Sequence, residues 1–115
     1  MRALIVSALM ALVAGQASTT IAPEEAVKHV GETVMVQGVV SHVKVDPKDG
    51  SIYVDFGPPF PNQVFTAFIA AANAKNFPNA PGLLGKTVVV NGTITLYKGK
   101  PEIKVTKALQ LQIVT

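Results

Sequence analysis

Cysteine is absent from this chain, and arginine occurs once, at position 2. Without cysteine there is no disulfide, no thiol nucleophile and no thiolate metal site, so packing alone must hold the fold. The scarcity of arginine removes the side chain best suited to stack on bases and grip phosphates with two bonds. Charge is sparse as well: beyond Arg2, nine lysines face seven acids, a balance of +2. So small an excess does not by itself mark a nucleic-acid partner. His29 and His42 lie on different elements without a spaced carboxylate, so neither metal binding nor general-base catalysis is indicated. Neither Ser41 nor Ser51 sits in a nucleophile elbow. The residues support no catalytic constellation and no cofactor site, and the expectation is a protein that is not an enzyme.

The one long apolar run is N-terminal. Arg2 precedes Ala3 to Ala14, and the small residues Gly15 and Ala17 follow. That is the tripartite order of a secretory signal peptide, with cleavage after Ala17. The run is well short of the roughly 20 residues that span a bilayer, and no cysteine follows it to carry a lipid. The expected organisation is a signal peptide over residues 1–17 and a single domain over 18–115, released to the periplasm or secreted, with no membrane span.

Along the remaining chain, Ser18 to Ala22 reads as a frayed leader, and Pro23 to Val30 as a short helix. Proline occupies the helix's first turn, two glutamates sit at its positive end, and Gly31 caps it. From Thr33 the period becomes two, predicting a long first strand to about Val45. Asp46-Pro47-Lys48-Asp49-Gly50 is turn chemistry. It lacks the ligand alternation and terminal glutamate of an EF-hand. A second strand over Ser51 to Phe56, the loop Gly57 to Asn62 and a third strand over Gln63 to Ala70 follow. A short helix is expected over Ala71 to Phe77, a fourth strand over Lys86 to Tyr97, a turn at Lys98 to Pro101 and a fifth strand over Glu102 to Thr106. Ala108 to Val114 would continue or close the sheet. Strands one and four repeat a pattern: Gly31-Glu-Thr-Val-Met-Val-Gln-Gly38 matches Gly85-Lys-Thr-Val-Val-Val-Asn-Gly92. A glycine inside an apolar strand marks a bulge or bend, and two bent strands can each serve both sides of a small barrel.

The segments Glu25 to Val34, Gln37 to Val40, Tyr53 to Gly57, Asn62 to Ala67, Gly85 to Ile94 and Tyr97 to Ile103 resemble small bacterial OB-fold domains of the nucleic-acid-binding type. These are relatives of the anticodon-binding and helicase-associated OB modules. The resemblance covers about residues 22 to 114. It implies an all-β fold, a five-stranded OB barrel in the order three strands, a helix, two strands, with a short N-terminal helix in front.

On that fold, ligands meet the face of strands two and three and the loops joining strands one–two and four–five. The candidate ligand-binding residues are then Lys44, Lys48, Tyr53, Thr66, Tyr97, Lys98 and Lys100. Tyr53 and Tyr97 could stack bases, each stack being worth about 1–3 kcal/mol, while Lys98 and Lys100 add cations beside Tyr97. The same residues also read as tyrosines at a sheet margin and ordinary solubilising lysines, and Asp46, Asp49 and Asp55 place negative charge nearby. Phe56, Phe65, Phe68 and Phe77 read as core; Phe60, between prolines, reads as tucked over one barrel end, with an exposed tip for a protein partner as the alternative. The resemblance implies weak, sequence-tolerant binding of single-stranded nucleic acid, and the expected state is a monomer. The rival expectation is a periplasmic module that binds an envelope protein and no nucleic acid.

Overall fold

The alternation that begins at Thr33 is realised as β-structure in a computed structural model, which describes residues 19–114. The signal-peptide reading of residues 1–17 lies outside the described residues. Eight strands are present among the described residues: β1 (Thr20–Ile21), β2 (Thr33–Val39), β3 (His42–Val45), β4 (Ile52–Phe56), β5 (Phe65–Ile69), β6 (Thr87–Tyr97), β7 (Lys100–Lys104) and β8 (Leu111–Ile113). They form one mixed sheet in the order β1-β2-β6-β7-β5-β4-β3, with β8 paired to β6. The fold is all-β. No helix among the described residues is long and apolar enough to cross a membrane.

The two copies of the sequence repeat are the paired strands β2 and β6. They run antiparallel with Val36 opposite Val90, Gly38 opposite Val88 and Val34 opposite Gly92. This register is symmetric about the Val36–Val90 pair, and the flanking hydrogen bonds follow the same symmetry. Gly31 N donates to Ile94 O at 2.8 Å and Gly85 N donates to Val40 O at 2.9 Å. Gly31 therefore ties the end of its helix to a neighbouring strand, beyond serving as a cap. Val34, Val36, Val88 and Val90 point inward and are almost wholly buried. They meet Phe56 and Phe65, whose rings tilt together at 5.3 Å, and Ile94 and Ile103.

Several expectations are corrected. The long first strand is interrupted after Val39, because successive residues bond to opposite neighbours: Val40 N donates to Lys86 O and Ser41 N to Asp55 O, both at 2.9 Å. The leader is not frayed throughout, since Thr20 and Ile21 pair in parallel with Met35 and Val36, and Ile21 is buried. The helices over Pro23–His29 and Ala71–Asn76 are 3-10, and a further 3-10 turn covers Ala80–Leu83. Segments this short close few i→i+4 bonds, and the tighter turn suits them. Phe77 N, for instance, donates to Ala74 O at 2.9 Å. Glu25 accepts from the Ala22 backbone N–H at 3.0 Å, holding the first of these turns. The C-terminal segment closes on β6 through Gln110, whose amide accepts from Thr106 and Lys107 and donates to Asn91 O at 3.0 Å.

The strand glycines are set by sterics. A Cβ on Gly38 would sit within the Pro23 ring, and one on Gly92 would lie 2.7 Å from Ile103 Cγ2. Gly38→Ala and Gly92→Ala should each cost about 1–3 kcal/mol, the usual scale of overpacking. Gly82→Ala has nothing within 4 Å and no left-handed backbone, and should be neutral or slightly stabilising. Urea denaturation of the three variants checks this; equal effects at all three sites would contradict the steric assignment.

Candidate ligand-binding groove

Pleating carries alternate residues of each strand to the outer face of the sheet. His42 and Lys44 on β3, Tyr53 and Asp55 on β4, Thr66 and Phe68 on β5, and Lys100, Glu102 and Lys104 on β7 share that face. The register aligns them in cross-strand rows. One row runs His42, Asp55, Thr66, Glu102, Thr95, and the next runs Lys44, Tyr53, Phe68, Lys104. Across them lies a groove of about 290 Å³ lined by Lys44, Asp46, Tyr53, Asp55, Phe60, Gln63, Thr66, Tyr97, Lys98, Lys100, Pro101 and Glu102. Its size is at the lower bound for small-ligand sites.

The loops at its rim are built by their turn residues. In the β3–β4 turn, Asp46 Oδ1 accepts from Lys48 N and Asp49 Oδ1 from Ser51 N, both at 2.8 Å, and Gly50 takes a positive φ. The Ser51 backbone N–H holds the Asp49 carboxyl below its ordinary value. In the β6–β7 hairpin, Lys98 and Gly99 both adopt positive φ, as a two-residue type I′ turn requires. The turn sets Lys98 Nζ 5.4 Å from the centre of the Tyr97 ring, a cation–π distance. The β4–β5 loop returns through Val64 N, which donates to Phe56 O at 2.9 Å, and carries Phe60 and Gln63 to the groove.

The floor is acidic and desolvated. Thr66 Oγ1 donates to Asp55 Oδ1 at 2.7 Å within the buried part of the row. Burial raises the Asp55 carboxyl, against the opposing pull of that hydrogen bond and of His42 and Lys44. Burial also raises Glu102, with Lys104 opposing it. Tyr53 is raised by desolvation and then by the Asp46 charge. Chemically the groove combines exposed cations at its rim, aromatic walls and acceptor oxygens beneath.

Six of the seven expected site residues, Lys44, Tyr53, Thr66, Tyr97, Lys98 and Lys100, line this groove, whereas Lys48 stands outside it on the β3–β4 turn. Phe60, expected to tuck over one end of a barrel, is instead 76% exposed. Phe68 is not core, because its parity puts it on the outer face, half-buried, with its ring 5.1 Å from that of Tyr53. Sequence reasoning missed Gln63 and Glu102. Glu102 alternates with Pro101 and Ile103 and so reads as outward and wet. It is buried because β7 lies between β5 and β6, with Thr66 and Thr95 on either side. Gln63 is buried only once the β4–β5 loop has folded back, which no local pattern announces.

No family model matches the chain, and no curated protein matches it. Among solved structures it is similar to a crystal structure from Leishmania major whose description proposes an aspartyl-tRNA synthetase. The two share 18% identity and a TM-score of 0.54 over 87% of this chain. The chain spans 21% of that structure's length, and the likeness is one of fold.

The raised carboxyls have a measurable consequence. Asp55 and Glu102 hold protons more readily folded than unfolded. Their contribution is therefore fully present below the ordinary values of 3.8 and 4.5 and is lost as pH rises through the raised ones. Glu102→Gln, which keeps the uncharged form, should raise the melting midpoint more at about pH 8 than at about pH 4. An equal shift at both pH values would contradict the burial-driven rise.

Proposed function

We propose that this chain is an exported, monomeric, non-enzymatic OB-type binding module whose groove takes single-stranded nucleic acid weakly and with little sequence preference. The observation that carries the reading is the groove itself. It brings two tyrosines together with Lys44, Lys98 and Lys100, the pairing of stacking rings and cations that single strands require. The sequence resemblance to anticodon-binding OB modules and the fold likeness to part of a structure described as an aspartyl-tRNA synthetase both favour it.

In this reading β2 and β3 are one strand bent at Val40–Ser41, closing a five-stranded barrel, with β1 and β8 as additions at its margin. Support comes from the opposed hydrogen bonds of Val40 and Ser41 and from the parallel β5–β7 pairing between antiparallel neighbours. A binding role is preferred over catalysis because the sequence offers no nucleophile elbow and no nucleophile–base–orienter set. Export rests on residues 1–17 alone. Phe60, held out between Pro59 and Pro61, favours a second reading in which the groove's lip binds an envelope protein.

Fluorescence anisotropy with a labelled single strand tests the proposal. Three lysine–phosphate contacts give a log–log salt slope of about −2, so affinity should fall about twentyfold between roughly 50 and 200 mM salt. Tyr97→Ala combined with Lys98→Ala should abolish binding. Failure of the unaltered protein to bind at the lower salt would sink the nucleic-acid reading and favour the protein partner.

A further inference from the structure

The rim lysines and tyrosines account for attraction to any single strand, but they leave the floor of the groove unused. Gln63 is only 7% exposed, lines the groove, and its Oε1 is buried with no hydrogen-bond partner among the described residues. A buried acceptor left unpaired forfeits its hydration without return. Two further buried acceptors line the same space. Asp55 has one oxygen committed to Thr66, and Glu102 sits opposite Thr66 on the other side of β5. The floor therefore presents acceptor oxygens from three side chains, flanked by Tyr53, Phe60 and Tyr97.

We infer that this floor is a base-reading subsite, in which Gln63 and one neighbouring carboxylate, Asp55 or Glu102, accept the two N–H bonds of the exocyclic amino group of a cytosine or adenine. The inference rests on the nucleic-acid reading above and deepens it. The chemistry is selective because pyrimidines differ at this position. Cytosine carries an N4 amino group, whereas thymine and uracil carry a carbonyl oxygen there. A carbonyl pushed against buried acceptors leaves both unpaired, and a site built from such groups rejects the wrong partner strongly. Carboxylates accept from cytosine N4 and carboxamides pair with adenine N6, so one floor serves both bases. Stacking on the tyrosines has no such preference. Attraction at the rim and selection at the floor are thus separate functions of separate residues.

The experiment compares labelled oligo(dC), oligo(dA) and oligo(dT) of about 12 nucleotides, within the span that OB folds cover, using the unaltered protein and two variants. The expected result is that dC and dA bind about tenfold more tightly than dT, the scale of one good base-edge pairing. Gln63→Leu should bring the three strands to one level, weakening dC and dA and relieving the rejection of dT. Its melting midpoint should hold or rise, because the substitution removes an unpaired buried oxygen. Tyr97→Ala with Lys98→Ala should weaken all three strands alike. Equal binding of dC and dT, still lost in the double variant, would overturn the base-reading floor while leaving nucleic-acid binding intact. A fall in melting midpoint with uniform loss of affinity in Gln63→Leu would assign Gln63 a structural role and also overturn it. Binding of no strand, with a lysine-rich peptide bound instead, would overturn both readings and assign the acceptors to a protein cation.

Discussion

The antiparallel pairing of β2 with β6 is the constraint from which the other elements take their positions. It joins segments whose register partners run from Thr33–Thr93 to Val39–Thr87, and everything between them must fit inside the loop they close. Loop closure rises slowly with length, about 0.6 kcal/mol per doubling. Burying a valine side chain contributes about 1.5–3 kcal/mol, and Val34, Val36, Val88 and Val90 all lie in this seam. Burial therefore outweighs the extra chain length, and the pair can organise β3, β4 and β5 as its enclosed hairpins.

The pairing also dictates where side chains cannot be. Pro23 lies over β2 at Gly38, and Ile103 of β7 lies over β6 at Gly92. These two glycines occupy equivalent places in the repeat, so each copy receives its covering element at the same point of the strand. The approach of β7 to β6 through Gly92 seats the Lys98–Gly99 hairpin beside the outer face of β4 and β5. The groove's cationic lip is thus a consequence of how the core is closed.

Much of this was legible in the residues. The repeat was visible as matched glycines and valines, and the turns announced themselves through Asp46 to Gly50 and Lys98-Gly99. Alternation put Tyr53 outward, and tertiary pairing then supplied the partners that bring it to Lys44 and Phe68. What escaped has a common cause. Phe68 has the composition of core but the parity of surface, and parity decided. Ile21 is buried by pairing with a strand distant in sequence. Gln63 and Glu102 are polar, and polar residues are read as exposed until neighbouring strands and loops enclose them. Local pattern gives the direction of a side chain; only the assembled sheet gives its depth.

Depth separates the groove's lysines from Asp55 and Glu102, while Asp46 shares the rim with the lysines. Lys98 is exposed at the rim, where its field is screened over about 10 Å at ordinary ionic strength. It acts within that distance, weakly, and on any anion. Asp55, Glu102 and Gln63 are enclosed, where a hydrogen bond is electrostatically stronger and an unmade one is costly. They act only on a group that reaches the floor, and only if that group donates. An arrangement with acceptors outside and cations buried would repel a nucleic-acid backbone before any base arrived. In the reading proposed above, cations outside and acceptors inside would let a strand approach first and be judged second, with the more selective interactions in the drier layer.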